Sequence, residues 1–428
     1  MLNFSMIELG RRKGGKLDKE IKRNFVDFYR PFRFVPCFLH RPLENIRKSM
    51  KRMSIIIEFE NGSYTLGLSD VKNMKNRKLR EFPSISCCSA NLSMKSIEKL
   101  VDTCNHIKKI HYDREVTTLL DTATPSINSH QLQENGLTGK DVTIAVIDTG
   151  IEPHADLEGR ITAFQDFVGN QTESYDDNGH GTHCAGDAAG DGAASDGQYK
   201  GPAPEANVIG VKVLNKMGSG SLSTVIEGVE WCIENQSAHD IGILSLSLGS
   251  NATVPAAEDP VVRAVEAAWD AGMVVCIAAG NSGPEEGTIG SPGISPKVIT
   301  VGAADDHNNT DRSDDTVADF SSRGPTIDGY MKPDLLTPGV EVVSLRASGS
   351  FLDKTNKSAR VGSSYTSLSG TSMATPICAG VAAQLLQSNP DLTPDEVKQQ
   401  LMDASEDMGQ APNVQGDGYL NAANLMES

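Results

Sequence analysis

The chain is most easily bounded by what it lacks. Over 428 residues no apolar run approaches the roughly 18 residues that a membrane-spanning helix needs. Aromatic residues make up only 5%, and the eight cysteines lie scattered at 37, 87, 88, 104, 184, 232, 276 and 378. None forms C-x-x-C, and the adjacent Cys87 and Cys88 are poorly placed for a disulfide, so free thiols in a reducing compartment are expected. A secretory leader is also missing. The mildly apolar "MLNFSMIELG" precedes the basic "RRKGGK" instead of following it, which predicts a cytoplasmic protein and leaves release by another route open. H-E-x-x-H is absent, which removes one metalloprotease pattern, and "GTSMA" has Ala374 where a G-x-S-x-G esterase elbow needs glycine.

Charge is abundant but unevenly placed. Residues 1–52 hold 14 Lys/Arg against five Asp/Glu, a balance of +9, while the rest holds 25 against 51, or −26. An acidic body is a poor partner for nucleic acid. Three zones follow. Residues 1–52 are basic and carry Phe25, Phe28, Tyr29, Phe32, Phe34 and Phe38 close together. They read as an appendage that docks on the next zone, with an amphipathic membrane-surface helix as the alternative. Residues 53–118 predict a small α+β module: strands at "SIIIEF" and "FPSISCCSANLS", a helix at "MKSIEKLVDTCNH" and a closing strand at "IKKIHYDREV". Residues 122–428 alternate apolar strands ("VTIAVIDTG", "ANVIGVKVL", "IGILSLSLGS", "MVVCIAAGNSG", "VITVGAAD") with helices. That pattern predicts an α/β fold with a largely parallel sheet covered on both faces. Sites in such sheets lie at the carboxyl ends of strands, which singles out Asp148, Ser247 and Asn281. "LTPDEVKQQLMDAS" reads as a late helix with Thr393 as cap, Pro394 at its first position and Glu396 closing a capping box.

"DDNGHGTHCAG" (176–186) admits three readings: a metal half-site, a general base, or two packed histidines. No second ligand pair stands at a plausible spacing, which argues against metal. Nucleophilic hydrolysis needs a hydroxyl, an imidazole and an orienting carboxylate. Asp148, His180 and Ser372 offer these in the chain order Asp…His…Ser, one of the known orders for that geometry.

With these residues in view, "VIDTG" (146–150), "HGTHCAG" (180–186) and "SGTSMATP" (369–376) resemble the three signature blocks of the subtilisin-like serine proteases, the subtilases. "SLSLGS" (245–250) and "AAGNSG" (278–283) match two more in the same order. The resemblance covers about 140–425 and is greatest to the AprX-like branch of intracellular alkaline subtilases. It implies a serine endopeptidase with Ser372 as nucleophile, His180 as base and Asp148 as its orienting carboxylate. Asn281 would donate to the oxyanion, joined by the backbone N–H of Ser372. Ser247, Leu248 and Gly249 would form one rim of the substrate cleft and Gly218, Ser219 and Gly220 the other, so that a peptide is held as an added strand. Ala278, Ala279 and Gly280 with Gly290 would shape a roomy apolar primary pocket that favours large apolar residues. His183 is expected to pack, and Asp176 and Asp177 to line the cleft or sit in a solvated loop. No cofactor is required for the chemistry. Structural calcium remains open: Asp156 is a ligand by position, but the loop 190–201 lacks an asparagine-rich insertion and the acidic stretch 306–320 reads as solvated. The 53–118 module would then be a ferredoxin-like propeptide acting as intramolecular inhibitor, with self-cleavage near 115–125. A catalytically silent binding homologue is the other class, against which the complete triad and Asn281 argue.

Overall fold

Strands that are apolar on both faces need cover on both faces, and the arrangement of this chain follows from that need. The computed structural model describes residues 5–30, 32, 40–60, 62–74, 76–113, 115–118 and 126–426, with the backbone alone at 19, 20, 27 and 115–118. Cys37, Phe34 and Phe38, singled out from the sequence, lie outside the described residues. The chain divides into two units, Met1–Arg114 and Glu115–Ser428.

The N-terminal unit is built on helices α1 (Ser5–Arg12), α2 (Lys19–Tyr29) and α3 (His40–Met50), followed by a β-α-β-β-α-β run. That run comprises β1 (Arg52–Phe59), α4 (Tyr64–Lys72), β2 (Arg77–Phe82), β3 (Cys87–Ser93), α5 (Met94–Thr103) and β4 (Ile107–Tyr112). Its sheet order is β2-β3-β1-β4, all antiparallel, the ferredoxin-like arrangement expected. The structure draws the boundaries differently from the sequence reading. The division at 52 disappears, because Met6, Leu9, Phe25 and Phe28 share one apolar core with Ile55, Ile57, Phe59 and Leu100. By its contacts β5 (Glu115–Thr118) belongs to the second unit, with whose strands its backbone pairs.

In the C-terminal unit ten strands form the main sheet. They are β6 (Thr143–Asp148), β7 (Ile161–Asp166), β8 (Asn207–Lys212), β10 (Ile241–Leu246), β12 (Val274–Ala278), β13 (Ile299–Asp305), β14 (Thr316–Val317), β15 (Leu335–Pro338), β19 (Ser405–Glu406) and β20 (Tyr419–Leu420). The order is β19-β20-β15-β13-β12-β10-β6-β8-β7, parallel from β20 through β7, with β14 antiparallel on β13. Short strands β9 (Ser219–Ser221) and β11 (Leu248–Gly249) flank β5, and β16 (Val342–Leu345), β17 (Arg360–Val361) and β18 (Tyr365–Leu368) form a small antiparallel sheet. The covering helices are α7 (His180–Ala189), α8 (Leu222–Glu234), α10 (Pro260–Asp270), α12 (Thr371–Ser388) and α13 (Pro394–Asp403), with short α6 (Ser129–Glu134), α9 (Gln236–His239), α11 (Phe351–Thr355) and α14 (Pro412–Gln415) between them. The capping box of α13 forms as expected: the Glu396 N–H donates to Thr393 Oγ1 and the Thr393 N–H to Glu396 Oε2. Helices α7 and α12 approach so closely that a Cβ on Gly380 would stand 2.7 Å from the Ala188 carbonyl oxygen. Among the described residues no helix is long and apolar enough to cross a membrane.

The amino ends of the strands are tied by a buried charge cluster. Lys332 Nζ donates to Asp334 Oδ2 at 2.5 Å and to the Val298 carbonyl at 3.0 Å, while Lys398 Nζ lies 3.0 Å from Asp334 Oδ1. The Thr300 N–H donates to the same carboxylate, which locks β13 beside β15. Burial pushes the Lys332 ammonium down to about 8, although Asp334 opposes the shift. Between that value and the ordinary lysine pKa near 10.4, the unfolded chain holds a proton that the folded chain lacks, so this group makes stability rise with pH. In urea unfolding on a Ser372→Ala background, the stability difference between the parent and its Lys332→Met variant should shift in the parent's favour by about 2 kcal/mol from pH 8 to 10. A flat difference would refute the assignment.

Candidate active site

Helix α7 begins at His180 because a buried carboxylate organises the turn before it. Asp176 Oδ1 accepts from the N–H groups of Asn178 (3.0 Å) and Gly179 (2.8 Å), and Oδ2 accepts from the Thr182 N–H (2.9 Å) and Oγ1 (2.7 Å). These are among the N–H groups that a helix leaves without intrahelical partners. Asp176 therefore does not line a cleft. Its burial raises its pKa, which the backbone donors counter. Asp177 instead pairs with Lys212 Nζ at 2.7 Å. An acidic residue shortly before the helix was the available signal for this role.

Asp148 ends β6, fully buried. Its Oδ1 accepts from the Thr149 N–H at 2.7 Å and lies 2.8 Å from His180 Nδ1. Close approach of the two segments depends on Gly181, where a Cβ would stand 2.2 Å from the Gly150 carbonyl oxygen. Burial alone would lower the His180 pKa, but the adjoining Asp148 charge outweighs it and holds the imidazole well above the usual range. His183 separates cleanly from His180: its Nδ1 meets Asp187 Oδ2 at 2.9 Å and its Nε2 faces the carbonyls of Val342 and Thr366, each at 3.2 Å.

Ser372 occupies the first turn of α12, buried. Its hydroxyl donates to the Ser247 carbonyl at 3.2 Å, and the Ser247 hydroxyl returns a bond to the Ser372 carbonyl at 2.7 Å. Cys184 joins the two helices, with Sγ 3.7 Å from His180 Nδ1 and 3.5 Å from the Ser372 carbonyl. Asp148, His180 and Cys184 do bring ligand-type atoms within 4.8 Å of one another. Burial pushes the Cys184 thiol up to about 11, so it stays protonated, and the carboxylate and imidazole are engaged with each other. Asn281 follows β12. Its Oδ1 accepts from the Thr371 N–H and Oγ1, both at 3.0 Å, which spends the carbonyl and leaves the amide NH₂ as donor beside the start of α12.

The expected rim residues come together around a strand of the chain's own. Glu115, Val116 and Thr117 pair antiparallel with Ser221, Gly220 and Ser219, and Thr117 and Thr118 pair with Gly249 and Leu248. Gly218 closes the turn before β9 through its N–H to the Asn215 carbonyl. The Gly290 N–H donates to the Ala279 carbonyl at 3.0 Å, and the Gly280 N–H donates to Thr371 Oγ1 at 3.2 Å, which joins the Ala278–Gly280 wall to the start of α12. The expected closing strand "IKKIHYDREV" stops at Tyr112, and Glu115–Thr118 form a strand of their own, for which the β-branched residues of "EVTT" are the sequence signal.

Asp156, a candidate calcium ligand by position alone, does not fit a metal. Its Oδ1 accepts from the Ala194 N–H at 2.9 Å and its Oδ2 from the Tyr365 hydroxyl at 2.8 Å. Nearby carbonyls that could ligate a cation, those of Asp156, Ala189 and Ala206, already accept from the Arg160 guanidinium. A fixed positive charge and spent acceptors oppose a hard cation, which needs six to eight free oxygens. Within this chain the loop 190–201 is clamped by its own donors.

The model of the subtilase family of peptidases matches residues 139–419. The chain is 54% identical over 437 aligned positions to Serine protease AprX of Bacillus subtilis (strain 168), covering 99% of each. It is 36% identical to M-protease of Shouchella clausii (strain KSM-K16) over 83% of each chain. To Subtilisin DY of Bacillus licheniformis it is 34% identical, over 69% of this chain and 95% of the relative.

The clamp makes a direct prediction. Removing the donor with Tyr365→Phe should cost about 2 kcal/mol, a few degrees in Tm, because a buried carboxylate loses a partner. The melting curve of the Ser372→Ala background should not move with EDTA or added calcium. A calcium-dependent rise in Tm that Asp156→Asn abolishes would contradict the reading.

Proposed function

The chain belongs to the subtilase family and is a serine-type endopeptidase, and from that premise we propose that Asp148, His180 and Ser372 are its triad and that it is made as a self-processed zymogen. In this reading His180 takes the Ser372 hydroxyl proton as Oγ attacks the scissile carbonyl, and Asp148 holds the ring by Nδ1 and stabilises the imidazolium that forms. The tetrahedral oxyanion is met by the Asn281 amide and the backbone N–H of Ser372, which lies at the positive end of α12. The raised His180 pKa suits an enzyme that works at alkaline pH, since the base must be neutral. The seven described cysteines are buried and free, which supports a cytoplasmic, reducing setting.

The observation that carries the zymogen reading is β5. An extended segment held between β9 and β11 is how a peptide substrate is recognised as an added strand. Here the segment joins the N-terminal unit to the catalytic one, so the domains are an N-terminal propeptide through β5 and a catalytic domain beyond it. Antiparallel pairing sets Thr117 opposite Gly249 and Thr118 opposite Leu248. Ser247, the residue before Leu248, takes the Ser372 hydroxyl's bond on its carbonyl. The next residue in sequence is Leu119, and we assign the Leu119–Leu120 bond as the site of self-cleavage. Both leucines lie outside the described residues. An apolar residue before the cut accords with the pocket formed by Ala278, Ala279, Gly280 and Gly290, whose residues carry no charge.

Wild-type protein should mature to a form whose N-terminus is Leu120 and should take a fluorophosphonate label on Ser372. The Ser372→Ala variant should stay full length and unlabelled. An active wild type that remains full length would end the proposal. A peptide library varied at the residue before the cut should favour Leu, Phe, Tyr and Met by about tenfold or more over Arg and Asp, since one or two methylenes in such a pocket are worth about 1–3 kcal/mol each. A preference for a charged residue would sink the pocket assignment.

A further inference from the structure

Helix α3 is turned inside out. Its buried positions are His40, Glu44 and Lys48, polar and four residues apart on one face. Leu43, Ile46 and Met50, 39%, 57% and 76% exposed, share another face at the spacing i, i+3, i+7. Surface helices ordinarily place these two faces the other way round.

The buried polar face has its own explanation. Lys48 Nζ stands 2.8 Å from Glu44 Oε1 and 3.0 Å from Glu98 Oε2 of α5. The Tyr29 hydroxyl donates to Glu44 at 2.5 Å, and the Ser5 hydroxyl donates to Glu98. Every charge in this group has an opposite or hydrogen-bonding partner, the condition under which burial is tolerated. Nothing in that network requires the outward face to be apolar. Three large side chains held in water recover free energy only when something covers them.

The charges around the stripe identify the cover. Besides the apolar residues, α3 exposes Arg41, Asn45 and Ser49; its one acid, Glu44, is inside. Helix α2 exposes Lys22 and Arg23 with another outward apolar residue, Val26, and Arg30 just beyond it is exposed too. Residues 1–52 carry a balance of +9. An apolar stripe on a segment with that excess of cations suits a helix lying in the surface of an anionic bilayer. A second copy docking by the same face would set these cations against one another. We propose that α3 seats the N-terminal unit on an anionic lipid surface, with Leu43, Ile46 and Met50 entering the headgroup boundary.

The test uses the full-length Ser372→Ala chain and sucrose-loaded vesicles, either equimolar phosphatidylglycerol and phosphatidylcholine or phosphatidylcholine alone. Protein should pellet with the anionic vesicles at about 50 mM salt, and at least about fivefold less on the neutral ones or at about 500 mM. Ile46→Asp combined with Met50→Asp alters exposed side chains only, so the melting curve should hold while vesicle partitioning falls about tenfold or more. Failure to pellet with anionic vesicles at low salt overturns the proposal. So does pelleting that the double variant leaves unchanged, which would mean that charge alone binds. A dimer in sedimentation velocity that the double variant disperses, without vesicle binding, would assign the face to a second copy instead.

Discussion

The site depends on how closely α7 and α12 can lie. His180 opens α7 and Ser372 stands in the first turn of α12, and each helix is buried along most of its length. Their approach is set by small residues: Gly380 faces the Ala188 carbonyl, and Cys184 reaches from one helix to the main chain of the other. A larger side chain at Gly380 would push the helices apart, and a close-packed interior transmits that displacement to the helix starts. Tenths of an ångström matter there, because the Asp148–His180 contact and the Asn281–Thr371 bonds are each fixed to one of these starts.

Much of this was legible in the primary structure. The α/β layers followed from apolar runs such as "TIAVID", which cannot be half-exposed, and the polar residues where those runs stop, Asp148, Ser247 and Asn281, do lie against His180, Ser372 and Thr371. The capping box at Thr393 is local and needed no tertiary knowledge. What escaped was non-local. Asp176 looked like a loop acid until four donors were seen to converge on it. Glu115 and Val116 were expected at the end of the closing strand "IKKIHYDREV", and only their pairing with β9 shows that they start a separate strand. The inversion of α3 was hidden for the same reason: its periodicity is the same whichever face is buried, and Glu98, which decides the matter, is 50 residues from Lys48.

Three buried carboxylates divide the work of the catalytic unit. Asp148 spends one oxygen on the His180 ring and the Thr149 N–H, Asp176 spends both on the turn before α7, and Asp156 spends both on a loop and a tyrosine. Each is stabilised by directed donors of the chain itself, which is the condition for keeping a carboxylate out of water. Rigidity at the substrate-facing edge thus comes from hydrogen bonds whose geometry is specified by sequence.

The short strand β5 has a kinetic consequence. Its residues belong to the same chain as the cleft they fill, so while the chain is intact their local concentration beside β9 and β11 is set by the tether and not by dilution. In the proposed maturation, cutting a bond just beyond β5 makes that contact bimolecular, and its occupancy falls as the solution is diluted. One hydrolytic event then changes the order of the binding reaction, so the fraction of open clefts becomes a function of how much protein the compartment holds.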